Sequence, residues 1–219
     1  MRGFFITFEG IEGSGKTTQA KKLYNHLRKR KLDCLLTREP GGTRISEKIR
    51  RIILDMDNVG MVSRTELFLY LASRSQHVEE VLRPALFANK IVISDRFSDA
   101  TVAYQGAGRN LSMETVKYLN GLAAASLTPD LTFLLDLPVR SGLARVRRTD
   151  RIEREEAEFH AKVRKEYLNI AAEEPQRIVV LDGTKDSGVI HSRVVEVVTA
   201  TLRNANEEIK DSGHRILSS

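Results

Sequence analysis

Gly10, Gly13, Gly15, Lys16 and Thr17 satisfy the spacing G-x-x-x-x-G-K-[ST] without a gap, inside the run Phe8-Glu9-Gly10-Ile11-Glu12-Gly13-Ser14-Gly15-Lys16-Thr17-Thr18. That spacing specifies a chemistry. Glycines allow a tight turn in which successive backbone N–H groups, Ser14 and Thr18 included, point at one polyphosphate. The Lys16 ammonium can reach the terminal phosphates, and the Thr17 hydroxyl can ligate Mg²⁺. A short apolar run, Phe4 to Phe8, precedes the loop, and helical spacing from Gln19 to Arg30 follows it. Strand, loop and helix in that order are the context the pattern requires.

A phosphate loop alone permits an ATPase, a GTPase, a motor or a kinase. Ras-type D-x-x-G and [NT]-K-x-D signatures do not occur in suitable places. Two other stretches do. Arg38-Glu39-Pro40-Gly41-Gly42-Thr43 follows a second apolar run, and Ser94-Asp95-Arg96-Phe97 ends a third. With Glu12 they bring arginines and carboxylates to neighbouring strand ends. Phosphoryl transfer between two nucleotides needs such a set. Cations must offset the repulsion of two anionic substrates, and water must be excluded. A structural ion pair at a strand end remains the alternative for Asp95 and Arg96.

The elements that would position these residues alternate along the chain. Continuous apolar runs at 4–8, 35–37, 91–94, 131–137 and 178–181 read as strands. Helical spacing is found at 45–54, 64–87, 113–125, 155–174 and 189–202, with Pro84 marking a bend or boundary in the second. Strands apolar throughout, separated by helices, predict an α/β protein with a parallel sheet covered on both faces. The expected fold is a doubly wound five-stranded P-loop NTPase fold, with ligands at the carboxyl ends of the strands. One domain over 1–204 is expected, with a short mobile lid near 142–153. Residues 205–219 read as a polar tail without assigned function.

The 219 residues carry a net charge of +6, which suits anionic ligands and also non-specific nucleic-acid binding. No apolar run approaches the roughly 18 residues of a membrane span. With the first strand at the start of the chain, no cleaved leader is expected. The single Cys34 cannot form an intramolecular disulfide and reads as a core residue. A cytoplasmic location is the expectation.

The chain resembles the thymidylate kinases over residues 3 to about 203. The resemblance rests on 8–18, on 38–43, on Asp95-Arg96-Phe97, on Ala103-Tyr104-Gln105-Gly106 and on Asp150-Arg151-Ile152-Glu153, in that order and spacing. It implies transfer of phosphate from ATP to dTMP, with Mg²⁺. By position, Asp95 sits near Mg²⁺ and the attacking phosphate, Arg96 grips the dTMP phosphate, and Lys16 follows the transferring group. Glu12 faces the 3′-hydroxyl side of the acceptor or a bound Mg²⁺; Glu153 matches a position near the metal. Arg38 and Pro40 shape the monophosphate pocket.

The resemblance further places Tyr70 against the base and Arg74 on its O4. These two lie four apart on a helix and so share a face. Thr101 and Gln105, also four apart, face the base, and Tyr104 lies beneath the deoxyribose. The phosphate loop holds no arginine, whereas Arg145, Arg147, Arg148 and Arg151 cluster in the lid. That matches the mostly bacterial arrangement, with Arg147 and Arg151 as catalytic cations and Arg148 as a substitute. The family usually forms homodimers, for which 64–87 is the candidate helix; no specific nucleic acid is expected. Another P-loop nucleoside or nucleotide kinase, or a non-catalytic nucleotide-binding protein, remain the competing readings.

Overall fold

The computed structural model describes residues 3–146 and 150–216, with side chains through Asn204. Five strands form one parallel sheet: β1 (Phe4–Glu9), β2 (Cys34–Arg38), β3 (Ile91–Asp95), β4 (Leu131–Asp136) and β5 (Ile178–Asp182), in the order β2-β3-β1-β4-β5. Register places Phe8 opposite Asp95, and Asp95 opposite Arg38. The chemistry-bearing loops therefore leave the sheet side by side.

Alternation along β1 sends its side chains to two cores. Ile6 and Phe8 pack with Leu23 and Leu27 of α1 (Lys16–Lys29) and Val194 and Val198 of the last helix. Phe5, on the other face, packs with Phe97, Val78 and Leu82. Glu9 shares the face of Phe5. Cys34 is buried at the start of β2.

The helices are α2 (Arg44–Leu54), α3 (Ser63–His77), α4 (Arg83–Phe87), α5 (Ser98–Thr101), α6 (Met113–Ala123), α7 (Val139–Arg145), α8 (Ala157–Glu173) and α9 (Ser187–Ile216). α7 has no counterpart in the sequence expectation, and other elements depart from it in detail. α1 begins at Lys16, three residues early, because Gly15 at φ +97° supplies the turn into it. The boundary expected at Pro84 is a change of helix type: a π-helical turn, Val78–Leu82, joins α3 to α4, and Pro84 sits in the first turn of α4. Proline lacks an N–H and its ring crowds the carbonyl four residues back; a widened turn just before it accommodates both. α9 runs to Ile216, so residues 205–216, expected as a tail, continue a helix. A second π-helical stretch, Val102–Gly108, follows α5 and carries Tyr104 and Gln105. Among the described residues no helix is long and apolar enough to cross a membrane.

Candidate active site

A cleft of about 360 Å³ opens at the carboxyl ends of β1, β2 and β3. Its walls come from the phosphate loop, the turn after β2, α2, α3, the segment after β3, and Asp150, Ile152 and Glu153.

The phosphate loop is shaped by close approach. Gly13 lies at φ +71°, and a Cβ on it would sit 2.3 Å from the Gly142 carbonyl oxygen of α7. A Cβ on Gly142 would in turn meet the Glu12 carbonyl oxygen at 2.5 Å. Glycine faces glycine where loop and lid helix touch. Lys16 is buried, and Nζ donates to the Ile11 carbonyl at 2.6 Å. Burial, then the neighbouring Arg96 charge, push its ammonium down to about 8, against the opposing pull of Glu12, Asp95 and Glu9. The Thr17 hydroxyl donates to Asp95 Oδ2.

Arg96 occupies the centre. Its backbone is left-handed at φ +73°, a region that side chains other than glycine rarely adopt. Nη2 donates to Glu12 Oε1 at 2.7 Å and to the Tyr104 hydroxyl at 2.9 Å. Nη1 donates to the Gly10 carbonyl and to the Tyr167 hydroxyl, both at 3.1 Å. The guanidinium also lies 4.7 Å from the centre of the Tyr104 ring. Tyr104 donates to Glu12 at 2.7 Å, and His160 Nδ1 stands 3.2 Å from Glu12 Oε2. Burial alone would raise the Glu12 carboxyl. Arg96, the His160 contact, Lys16 and Tyr104 outweigh it and hold the group well below the usual carboxylate range.

Tyr70, Thr101 and Gln105 line the far end of the cleft, as does Arg50, whose Nη1 donates to the Pro40 carbonyl at 2.9 Å. Burial raises the Tyr70 hydroxyl. Gln105 Nε2 donates to Glu66 Oε1 at 2.9 Å. Arg38 lines the cleft while pairing with Glu47 at 2.8 Å. Pro40 follows a cis peptide bond.

Arg74 is not on the cleft surface. It lies 2% exposed behind Thr101, with donors committed to Glu39 Oε2, Thr101 Oγ1, Asn120 Oδ1 and the Phe97 carbonyl. Tyr70 and Arg74 thus share a helix but not a surface. Glu39, buried between Arg74 and His77, keeps its carboxyl low: burial opposes ionisation, and those two neighbours overcome it.

The lid residues divide. Arg147 and Arg148 lie outside the described residues. Arg145 is exposed, with Nη1 3.4 Å from the Gly13 and Gly183 carbonyl oxygens. Arg151, expected at the transferring phosphate, does not line the cleft. Its Nη2 donates to Glu66 Oε2 at 2.6 Å and its Nε to the Ile53 carbonyl at 3.1 Å. The reason is Glu66, fully buried and held by both Arg109 and Arg151: a buried carboxylate requires counter-charge. Asp150, Ile152 and Glu153 do face the cleft, and burial raises Asp150.

Several residues of this site escaped the sequence reading. Arg50 sits in the second turn of an ordinary charged helix. Tyr167 and His160 come from α8, where their spacing is that of core residues. Glu9 stands inside the quoted motif but on its strand, and only its position against Arg96 marks it. Among the described residues no group of three or more His, Cys, Asp or Glu side chains could hold a metal ion.

Comparison with known proteins identifies relatives over most of the chain. The sequence model of the family described as "Thymidylate kinase" matches residues 8–194. Thymidylate kinase of Geotalea uraniireducens is 48% identical over 209 residues, covering 91% of this chain and 98% of the relative. That of Geotalea daltonii is 50% identical over 214 residues, covering 93% and 99%. The crystal structure of thymidylate kinase from Ehrlichia chaffeensis superposes with a TM-score of 0.75 at 34% identity, covering 90% of this chain and 99% of that one. With a family match across most of its length and relatives near half identical, the chain belongs to the thymidylate kinase family.

Proposed function

We propose that the chain is an ATP-dependent dTMP kinase, which moves the γ-phosphoryl group of ATP onto the phosphate of dTMP and yields ADP and dTDP for dTTP synthesis. One observation carries this reading. A single cleft joins Lys16 and Thr17 of the phosphate loop to Arg96, Tyr104, Thr101 and Gln105, which suits a donor's phosphates meeting an acceptor nucleotide in one place. In the reaction an oxygen of the dTMP phosphate attacks the γ-phosphorus. The bond to the β–γ bridging oxygen breaks, and ADP leaves with its electron pair; no proton has to move.

In this reading the phosphate loop, Gly10 to Thr18, cradles the ATP phosphates. Lys16 stays with the transferring group, whose charge is spread over three oxygens. Arg96 grips the acceptor phosphate, which competes with Glu12 for the guanidinium. Tyr104, its hydroxyl held by Glu12 and Arg96, places its ring beneath the sugar and leaves no space for a 2′-hydroxyl. Tyr70 stacks on thymine, and Thr101 and Gln105 bond its edge. Arg74 supports that edge through Thr101. Arg147 of the lid supplies the cation at the phosphoryl group, with Arg148 as its substitute; the pairing of Arg151 with Glu66 favours a structural role for Arg151.

Mg²⁺ suits the corner between Thr17 and Asp95. A hydroxyl and a carboxylate in contact fit a hard cation that draws its remaining ligands from water and phosphate oxygens. When bound, the ion neutralises polyphosphate charge. Glu12 is engaged by Arg96 and Tyr104, which favours its acceptor-side role over a metal one. A homodimer is part of the proposal: Phe68 on α3 and Tyr118 and Leu122 on α6 are exposed, on two helices that pack together around Leu67, Leu71 and Val116.

Calorimetry tests the shared cleft. dTMP and a non-hydrolysable ATP analogue are expected to bind together, one each per chain. Mutual exclusion contradicts the proposal.

A further inference from the structure

Glu9 is wholly buried at the end of β1 and does not line the cleft, yet it reaches both ends of Arg96. Its Oε1 accepts the Phe97 N–H at 2.6 Å, directly after the left-handed Arg96. Its Oε2 accepts the Tyr167 hydroxyl at 2.7 Å, and that hydroxyl accepts Arg96 Nη1 at 3.1 Å. The Arg96 N–H is held by the Phe8 carbonyl at 3.0 Å, and its carbonyl by the Ser94 hydroxyl at 2.7 Å. A left-handed arginine persists only where its surroundings over-determine it. Glu9 is the side chain that ties the unusual backbone to the guanidinium tip.

We infer that Glu9 and Tyr167 are positioning residues for the kinase reaction: together they lock Arg96 into the conformation that presents its guanidinium to the acceptor phosphate. This rests on the reading of Arg96 as the acceptor-phosphate grip. A carboxyl here carries an evident cost. Burial, with the nearby Asp99 charge, pushes Glu9 up to about 8, while Arg96, Tyr167 and the Phe97 N–H pull it down. For packing alone a glutamine or an apolar residue of similar size would serve.

The guanidinium has two kinds of partner. Glu12 and Tyr104 line the cleft, where substrate meets them. Tyr167 sits behind, on α8, and is buried. Removal of its hydroxyl takes one acceptor from Nη1 of Arg96, which keeps the Gly10 carbonyl, without changing any cleft-lining group. Phenylalanine keeps the ring contact with Tyr104, whose centroid is 6.2 Å away.

The test is a double-mutant cycle on Tyr167→Phe and Arg96→Ala, read as dTMP affinity by calorimetry, as kcat and KM for both substrates, and as Tm. Calorimetry reads even a variant with no turnover. Tyr167→Phe is expected to weaken dTMP binding and kcat/KM for dTMP by about 10-fold, with KM for ATP within about twofold. In the Arg96→Ala background the same change is expected to alter dTMP binding by less than about twofold. Glu9→Gln, which keeps an acceptor for the Phe97 N–H, is expected to show the same dependence on Arg96. Equal losses in both backgrounds overturn the inference, because Tyr167 then acts on something else. So does an unchanged dTMP affinity in both Tyr167→Phe and Glu9→Gln. A silent Arg96→Ala single variant overturns the reading of Arg96 itself, and the inference with it.

Discussion

Glu12 and Arg96 form a 2.7 Å ion pair in the middle of the cleft, with the carboxylate 11% and the guanidinium 16% exposed. An acid in a phosphate loop repels the ligand the loop is built for. Here its charge is answered by an arginine that directly follows the neighbouring strand β3. The pair joins the donor half of the site to the acceptor half.

Arg96→Ala is expected to lower kcat/KM for dTMP by at least ~100-fold, the loss of about 3 kcal/mol in the transition state. Glu12→Gln keeps the shape and one acceptor, and a loss of roughly 10-fold is expected as the charge-assisted bond weakens. Steady-state kinetics decide both. A change under about threefold for Arg96→Ala would move the acceptor phosphate elsewhere.

Lys16 gives the reaction an alkaline limb. Burial and Arg96 hold its ammonium down near 8, and only the protonated form attracts phosphate. In the nucleotide-free enzyme the competent fraction therefore falls as pH rises through about 8, and kcat/KM for ATP falls with it. Bound polyphosphate favours the ammonium, so the limb in kcat lies at higher pH. A kcat/KM profile flat to pH ~9.5 would show that the buried lysine keeps its ordinary value.

Arg151 separates a structural from a catalytic lid arginine. Arg151→Met leaves Glu66 to Arg109 and Gln105 alone and is expected to cost about 1–3 kcal/mol of stability. Thermal melting reads this as roughly 3–10 °C. kcat is expected to change by less than about threefold, whereas a cation on the transferring phosphate is worth far more. A large loss of kcat at unchanged Tm would restore Arg151 to the phosphoryl group.

Gly142→Ala probes the contact between lid helix and phosphate loop. The added methyl would meet the Glu12 carbonyl oxygen at 2.5 Å, too close to stand without movement of the loop. KM for ATP is expected to rise by about 10-fold, a loss comparable to overpacking of a tight contact. An unchanged KM would mean that α7 yields and the loop does not.

The sheet was legible because its three central strands are mostly apolar, as burial on both faces demands. The phosphate loop, Asp95 and Arg96 were legible because each is a local pattern at a strand end. Arg151 shows the limit. An arginine that neutralises a buried glutamate 85 residues away and one that meets a phosphate have the same local spacing. Arg74 shows it again: helical periodicity places it near Tyr70, but its burial follows from Glu39, Asn120 and the Phe97 carbonyl, on three other segments. Tyr167 reaches Arg96 from α8 across 71 residues, and nothing on its own helix distinguishes it from a core tyrosine. Residues whose role lies in a long-range partner have no local signature.

The most direct test of the account is ADP release by the purified protein with ATP and Mg²⁺, given dTMP, dUMP, UMP, dCMP or thymidine in turn. Turnover is predicted with dTMP above all, with dTDP as the product. Turnover with thymidine but not dTMP, or none with any acceptor despite intact ATP binding, would contradict it.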